Sequence, residues 1–269
     1  MNTTTSRAGG ASLVLSGSAV LWVSVALIGQ WAFVYYIAAF YGPATLAGEF
    51  AQWNRNKLLV HGHVAGDVAG NLVFASHVLL AALVTLSGTL QLLPQVRARA
   101  PAFHRWNGRL FLISGAAAAA GGLYLVFARG DLTRVMTWLP ITLNAALILT
   151  SAALAWRTAV SRNIAAHRRW ALRLFLVVNG VWFLRVGLIG AIVVNRALGG
   201  SLGPDGAPAK AWAFGSYLVP LAVLELYFWA RSQRGWLAQG VTSAVLVLLT
   251  GVTAVGVAAV ALILWRPLL

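Results

Sequence analysis

From about residue 12 onward, long apolar runs alternate with short polar connections that carry most of the arginines. Crossing a hydrocarbon core ~30 Å thick takes about 20 mostly apolar residues in a helix. Runs at about 12–41, 70–93, 107–128, 136–156, 170–194, 211–230 and 241–265 meet that length. Lipid offers no partner to a free backbone N–H or C=O, and the runs are too long for barrel strands, so each is predicted to be a helix. The first lacks a small-residue cleavage site and reads as a retained span, not a removed signal peptide. The expected fold class is all-α: a polytopic membrane helix bundle of about seven transmembrane helices with a central four-helix core. Residues 1–269 are expected to form a single transmembrane domain, with the core bundle at about 60–195.

Composition narrows the function classes. Hydrophobic residues make up 60 % of the chain and charged residues 9 %, against roughly 25 % charged in soluble proteins. The mean hydropathy is +0.80. A water-soluble globule with so few charges could not cover its surface, which excludes a solvated enzyme domain. Twenty Lys and Arg oppose five acids, a formal net charge of +15. The basic residues form short clusters between apolar runs, not one basic domain, so no nucleic-acid partner is expected. The absence of cysteine excludes disulfides, thiolate metal sites, iron–sulfur clusters and Cys nucleophiles. No P-loop, no GxGxxG after a strand, no HExxH and no Ser–His–Asp arrangement is present, so no reaction is assigned.

Seven crossings divide the loops between two faces. The N-terminal face carries Arg7, Arg97, Arg99, Arg105, Arg109, Arg157, Arg162, Arg168, Arg169, Arg173, Arg231 and Arg234, and no acid. The opposite face carries Arg55, Lys57, Arg129, Arg134, Arg196, Lys210 and Arg266 together with Glu49, Asp67, Asp131 and Asp205. Lys and Arg concentrate on the cytoplasmic side of membrane proteins. The expected placement is therefore a multi-pass protein of the bacterial inner membrane with a cytoplasmic N-terminus. Several of the twelve tryptophans, among them Trp53, Trp106, Trp138, Trp156, Trp170, Trp212, Trp236 and Trp265, fall at span ends, where amphipathic rings anchor at the interface.

Without cysteine, the five histidines carry the candidate chemistry. His104 opens the third span in PAFHRWNGR and His167 opens the fifth in AAHRRWALR, both on the N-terminal face. Parallel helices starting at one depth can face each other, and two such imidazoles can serve as axial ligands of a b-type haem. Steps of three and four from His104 reach Gly108, Phe111, Gly115, Ala119 and Gly122. This mostly small stripe admits a flat macrocycle or, more commonly in membranes, another helix. Arg105, Arg109, Arg168 and Arg173 can hold haem propionates or a phosphate by charge-assisted hydrogen bonds. In the plainer reading, the His-Arg pairs are interface anchors that snorkel and obey the charge rule.

On the opposite face His61, His63 and Asp67 fall within seven residues, and His77 follows inside the second span. That set is chemically sufficient for zinc or copper, with solvated or capping residues as the alternative. Asp67 and Asn71 stand where a helix N-terminus favours them. Burial of His77 demands a partner, expected from the 55–66 segment folding back over the second span. Arg185 and Glu225 lie inside spans, where ionisable groups are functional candidates. Counting 18 residues from His167 puts Arg185 on the same face of a continuous fifth span, ~27 Å away.

The combination GDVAGN…FASHV…GTLQLLPQVRARAPAFHRWNGR…AAHRRWALR resembles a bacterial membrane-protein family known as domain of unknown function 2306. The resemblance covers about residues 60–190 and lends no activity. It implies a shared polar core of His77, His104, Arg105, Gly108, Arg109, His167, Arg168, Trp170 and Arg173. A looser similarity is to b561-type haem cytochromes, whose ligands come in pairs from alternate helices. His104 and His167 match that plan, whereas the fourth span holds no histidine to pair with His77.

Two function classes follow. One is a non-enzymatic membrane component that binds a lipid, a small solute or a partner protein, with these residues as its polar core. The other is a haem-binding redox protein with His104 and His167 as axial ligands.

Overall fold

The computed structural model describes residues 3–56, 62–204, 206–233 and 235–269, and side chains from Gly10 onward. The described chain is helical, without a strand: α1 (Thr3–Leu46), α2 (Val68–Leu92), α3 (Pro94–Arg99), α4 (Pro101–Arg129), α5 (Val135–Val160), α6 (Ile164–Val178), α7 (Gly180–Ala197), α8 (Ala207–Ser232) and α9 (Trp236–Ala259). A 3₁₀ segment, Phe50–Arg55, follows α1, and a π turn, Val260–Trp265, continues α9. Seven helices are long and apolar enough to cross a membrane: α1, α2, α4, α5, α7, α8, and α9 with its extension. The all-α polytopic bundle expected from the hydropathy pattern is what the chain forms.

The fifth apolar run, however, is two helices. Helical pairing ends at Val178 and resumes at Gly180, and the Asn179 side chain donates to the Phe175 carbonyl at 2.7 Å. This local side-chain bond competes with the helical ladder. His167 and Arg185 therefore sit on different helices, and the five-turn count that put them on one face does not apply.

The helices group into two compact units. One comprises residues 1–30 and 182–263; the other comprises 31–181 and 264–269. Within the second, α2 packs on α4, α4 on α5 and α5 on α6. Trp53 closes one end of this unit against Phe74, with Ala44 and Leu125 beside it. Trp265 stacks on Tyr36 at 5.5 Å between ring centroids. These two tryptophans, expected as interface anchors, are buried core residues, whereas Trp106, Trp156 and Trp236 are exposed as anchors should be.

In the first unit α8 packs on α9, whose burial is inverted relative to a soluble helix. Val241, Leu248 and Val252 are exposed while Thr242, Ser243, Thr250 and Thr253 are buried. Each buried hydroxyl donates to the carbonyl four residues earlier at 2.7–2.8 Å. None of these four hydroxyls is thereby left open, and the small side chains allow close helix approach. Apolar residues outside and satisfied hydroxyls inside suit a lipid surrounding.

Candidate functional site

The arginine-rich end of the second unit is built by the starts of α4 and α6. Pro101 occupies the first turn of α4, where its missing N–H costs nothing. Asn163 caps α6, its side chain accepting from the Ala166 N–H at 3.1 Å. His104 and His167 each fall fourth in their helices. Each donates its backbone N–H to the residue before the helix, Ala100 and Asn163 respectively, at 2.9 Å.

Neighbouring helices fix both residues. Gln91 of α2 donates to the His104 carbonyl at 2.9 Å, and buried Asn107 donates to the Ser87 carbonyl at 2.9 Å. His167 Nδ1 donates to the Ala155 carbonyl of α5 at 2.9 Å, which leaves Nε2 as the lone-pair nitrogen of the neutral ring. His104 Nδ1 is buried with no hydrogen-bond partner among the described residues. The two histidines are within electrostatic reach of each other, and Arg97 is a further charged neighbour of His104.

Each helix repeats the pattern Trp-x-x-Arg. The Arg109 guanidinium lies 4.5 Å from the Trp106 ring centroid, and that of Arg173 lies 4.4 Å from Trp170. A three-residue step puts both side chains on one helix face, and the indole orients the cation. Arg97, Arg99, Arg105, Arg109 and Arg168 are exposed. No acid occurs between residues 93 and 110 or between 157 and 173. This end is a cationic surface with two oriented guanidinium groups.

The small-residue stripe below His104 serves helix packing. A Cβ at Gly108 would stand 3.6 Å from Gln91, and one at Gly115 would stand 3.4 Å from Val178. Phe111 packs against Gly88, where an added Cβ would come within 2.8 Å of its ring. The face on which a flat macrocycle would lie is therefore filled by side chains of α2 and α6, and the stripe does not fit a haem.

The opposite end of the unit holds an ion-paired clamp. Asp67 caps α2, one carboxylate oxygen accepting from the Gly70 N–H at 2.8 Å and the other from Arg129 Nε at 2.8 Å. Arg129 ends α4 and also donates to Asn71 Oδ1 at 2.6 Å and to the Gly62 carbonyl at 3.3 Å. Asn71 exchanges two hydrogen bonds with the Val64 backbone. His63 is held by a reciprocal pair of backbone bonds with the Asn54 side chain, and its ring stacks on Phe50. His77 Nδ1 bonds to the Ala118 carbonyl of α4 at 3.0 Å, with Gly121 and Gly122 making room for the ring.

His61 lies outside the described residues. Among the described residues no three His, Cys, Asp or Glu side chains come together as a metal set. Asp67 is engaged by Arg129, and His77 bonds a backbone carbonyl of α4; residues 57–61, part of the segment expected to supply its partner, lie outside the described residues. The sequence treated Arg129 only as one loop charge. The signal that could have found it is antiparallel pairing, since the end of α4 must lie beside the start of α2. In the other unit, Arg185 is buried on α7 while Glu225 is exposed on α8.

The Gly70 N–H and the Arg129 guanidinium hold the Asp67 carboxyl below the ordinary carboxylate range. A depressed folded value stabilises the fold above the unfolded value near pH 4, and that contribution is lost as pH falls through the folded value. Acid unfolding of Asp67→Asn should accordingly begin from a lower starting stability and show a shallower fall below about pH 4 than the wild type. Identical pH dependence in both would contradict the assignment.

No curated protein and no solved structure matches the chain. The sequence profile described as "Predicted membrane protein (DUF2306)" matches residues 74–229, which includes α4, α5, α6 and both Trp-x-x-Arg motifs. The chain belongs to this family of membrane proteins.

Proposed function

We propose that the chain is a non-enzymatic, multi-pass component of the bacterial inner membrane that binds an anionic lipid headgroup at its arginine-rich end. His104, Arg105, Arg109, His167, Arg168 and Arg173 form the recognition surface, carried by one transmembrane domain with the N-terminus in the cytoplasm. The observation that carries the reading is the pair of matched guanidinium–indole stacks on α4 and α6. Arginine presents a planar fork to phosphate oxygens, and indoles favour headgroup depth. Neither loop carries an acid to compete for the anion. Anionic lipids of a cytoplasmic leaflet contribute about 1 kcal/mol per basic residue near the surface.

Adding phosphatidylglycerol to the purified chain in neutral detergent should raise Tm by several degrees, while phosphatidylcholine at equal concentration should not. Equal effects of the two lipids would overturn the reading. Orientation is checked separately. A reporter active only outside the cytoplasm should be silent when fused after residue 100, and activity there would reverse the topology.

A further inference from the structure

Along α6, His167, Trp170 and Arg173 follow one another at steps of three residues. Such steps keep side chains on adjoining parts of one helix surface, and six residues span ~9 Å of helix axis. That is about one screening length at physiological ionic strength. An anion drawn to the Arg173 guanidinium therefore lies within electrostatic reach of the His167 ring. The ring itself is held in place. Its Nδ1–H is engaged by the Ala155 carbonyl at 2.9 Å, so Nε2 is the atom that can take a proton.

The charged side chains at this end of the surrounding elements are all basic. Arg97 and Arg99 come from α3, Arg105 and Arg109 from α4, Arg157 from the end of α5, and Arg168, Arg169 and Arg173 from α6 itself. The neighbour from α2 is the neutral Gln91. His104 of α4 is within electrostatic reach of His167, and its buried Nδ1 has no hydrogen-bond partner among the described residues to receive a second N–H. A proton on His167 thus adds charge to a surface that already repels it. No acid between residues 93 and 110 or between 157 and 173 balances that charge, so the counter-charge must come from outside these segments.

We propose that His167 couples headgroup binding to protons: an anion docking at the arginine-rich end draws one proton from water onto His167 Nε2, so binding tightens as pH falls. The proposal rests on the headgroup reading above. Anion and proton favour each other by the same factor. Histidine is the side chain whose charge changes between about pH 5 and 8. Arginine stays charged throughout, and the phosphodiester of phosphatidylglycerol stays anionic.

The test is titration of phosphatidylglycerol into the purified full-length chain in neutral detergent at constant ionic strength, at about pH 5.5 and about pH 8. Binding is read as the rise in Tm over phosphatidylcholine. Wild-type affinity should be at least about fivefold tighter at the acid pH, the increment of one positive charge beside an anionic headgroup. His167→Asn keeps an N–H where Nδ1 donates to Ala155 and removes the titrating ring, so it should bind with one affinity at both pH values. In weak buffer near pH 7, adding phosphatidylglycerol to the wild type should take up protons, read with an indicator dye, and phosphatidylcholine should take up none. Preferential binding that ignores pH, or a pH dependence that survives in His167→Asn, overturns the proposal alone. Binding of phosphatidylglycerol without proton uptake does the same, and decides the matter where His167→Asn does not fold. Equal effects of the two lipids at both pH values overturn the headgroup reading, and this proposal with it.

Discussion

Gly256→Val is expected to destabilise the chain by about 3 kcal/mol or more, seen as a fall in Tm of roughly 6–12 °C. Gly256 is where α9 meets α7. An added Cβ would run into the Val186 carbonyl and come within 2.6 Å of Val186 Cγ1. A side-chain neighbour could rotate away, but a backbone carbonyl in a helix cannot, so the helices must separate. Gly190 faces Gly256 across the same contact, so neither side has slack. Gly251, five residues earlier on the same helix, has open space around it. Gly251→Ala should gain about 0.5–1 kcal/mol from helix propensity. Opposite signs for the two positions would tie the effect to the α7–α9 approach; equal effects would exclude it.

Arg129→Met is expected to lower Tm by about 5–10 °C. The Arg129 side chain is 6 % exposed and serves Asp67, Asn71 and the Gly62 carbonyl at once. Its removal leaves the half-exposed Asp67 carboxylate without its cation, strips three contacts from a buried position and frees the segment leading into α2. Methionine keeps most of the apolar stem, so the loss reports the charge and its hydrogen bonds. Restoration of most of the stability in Arg129→Met/Asp67→Asn would show that the unpaired carboxylate is the source. A double variant no better than the single would place the cost in the lost contacts to Asn71 and Gly62.

Much of the fold was legible because lipid imposes a simple rule. Twenty apolar residues must become helical, and six of the seven runs did so without a break while the fifth became two helices. The break at Asn179 was not legible, because the apolar run passes through it without a change of pattern and one asparagine side chain decides the matter. At the site, the matched settings of His104 and His167 could be read from HRW and HRRW, and each histidine does fall fourth in its helix. Asp67 could be read as a cap from its place before an apolar run. Its pairing with Arg129 spans 62 residues and depends on which helices become neighbours. The bond from His77 to Ala118 was beyond sequence reasoning for another reason. Its acceptor is a backbone carbonyl, and every residue has one, so only the room left by Gly121 and Gly122 singles out Ala118. Gln30 escaped notice because an uncharged amide barely interrupts an apolar run, although its burial is complete.

The claim that the arginine-rich end recognises an anionic headgroup is tested most directly by counting lipids retained on the intact chain by native mass spectrometry. The sample is released from micelles containing equal phosphatidylglycerol and phosphatidylcholine. The wild type should retain phosphatidylglycerol preferentially, and Arg109→Gln/Arg173→Gln should lose that preference by tenfold or more, as expected for two charge-assisted contacts at about 1 kcal/mol each or better. Substituting Arg134 and Arg196 of the opposite face by Gln should leave the preference intact. Equal retention of the two lipids by the wild type, or a preference that survives in Arg109→Gln/Arg173→Gln, would contradict the account.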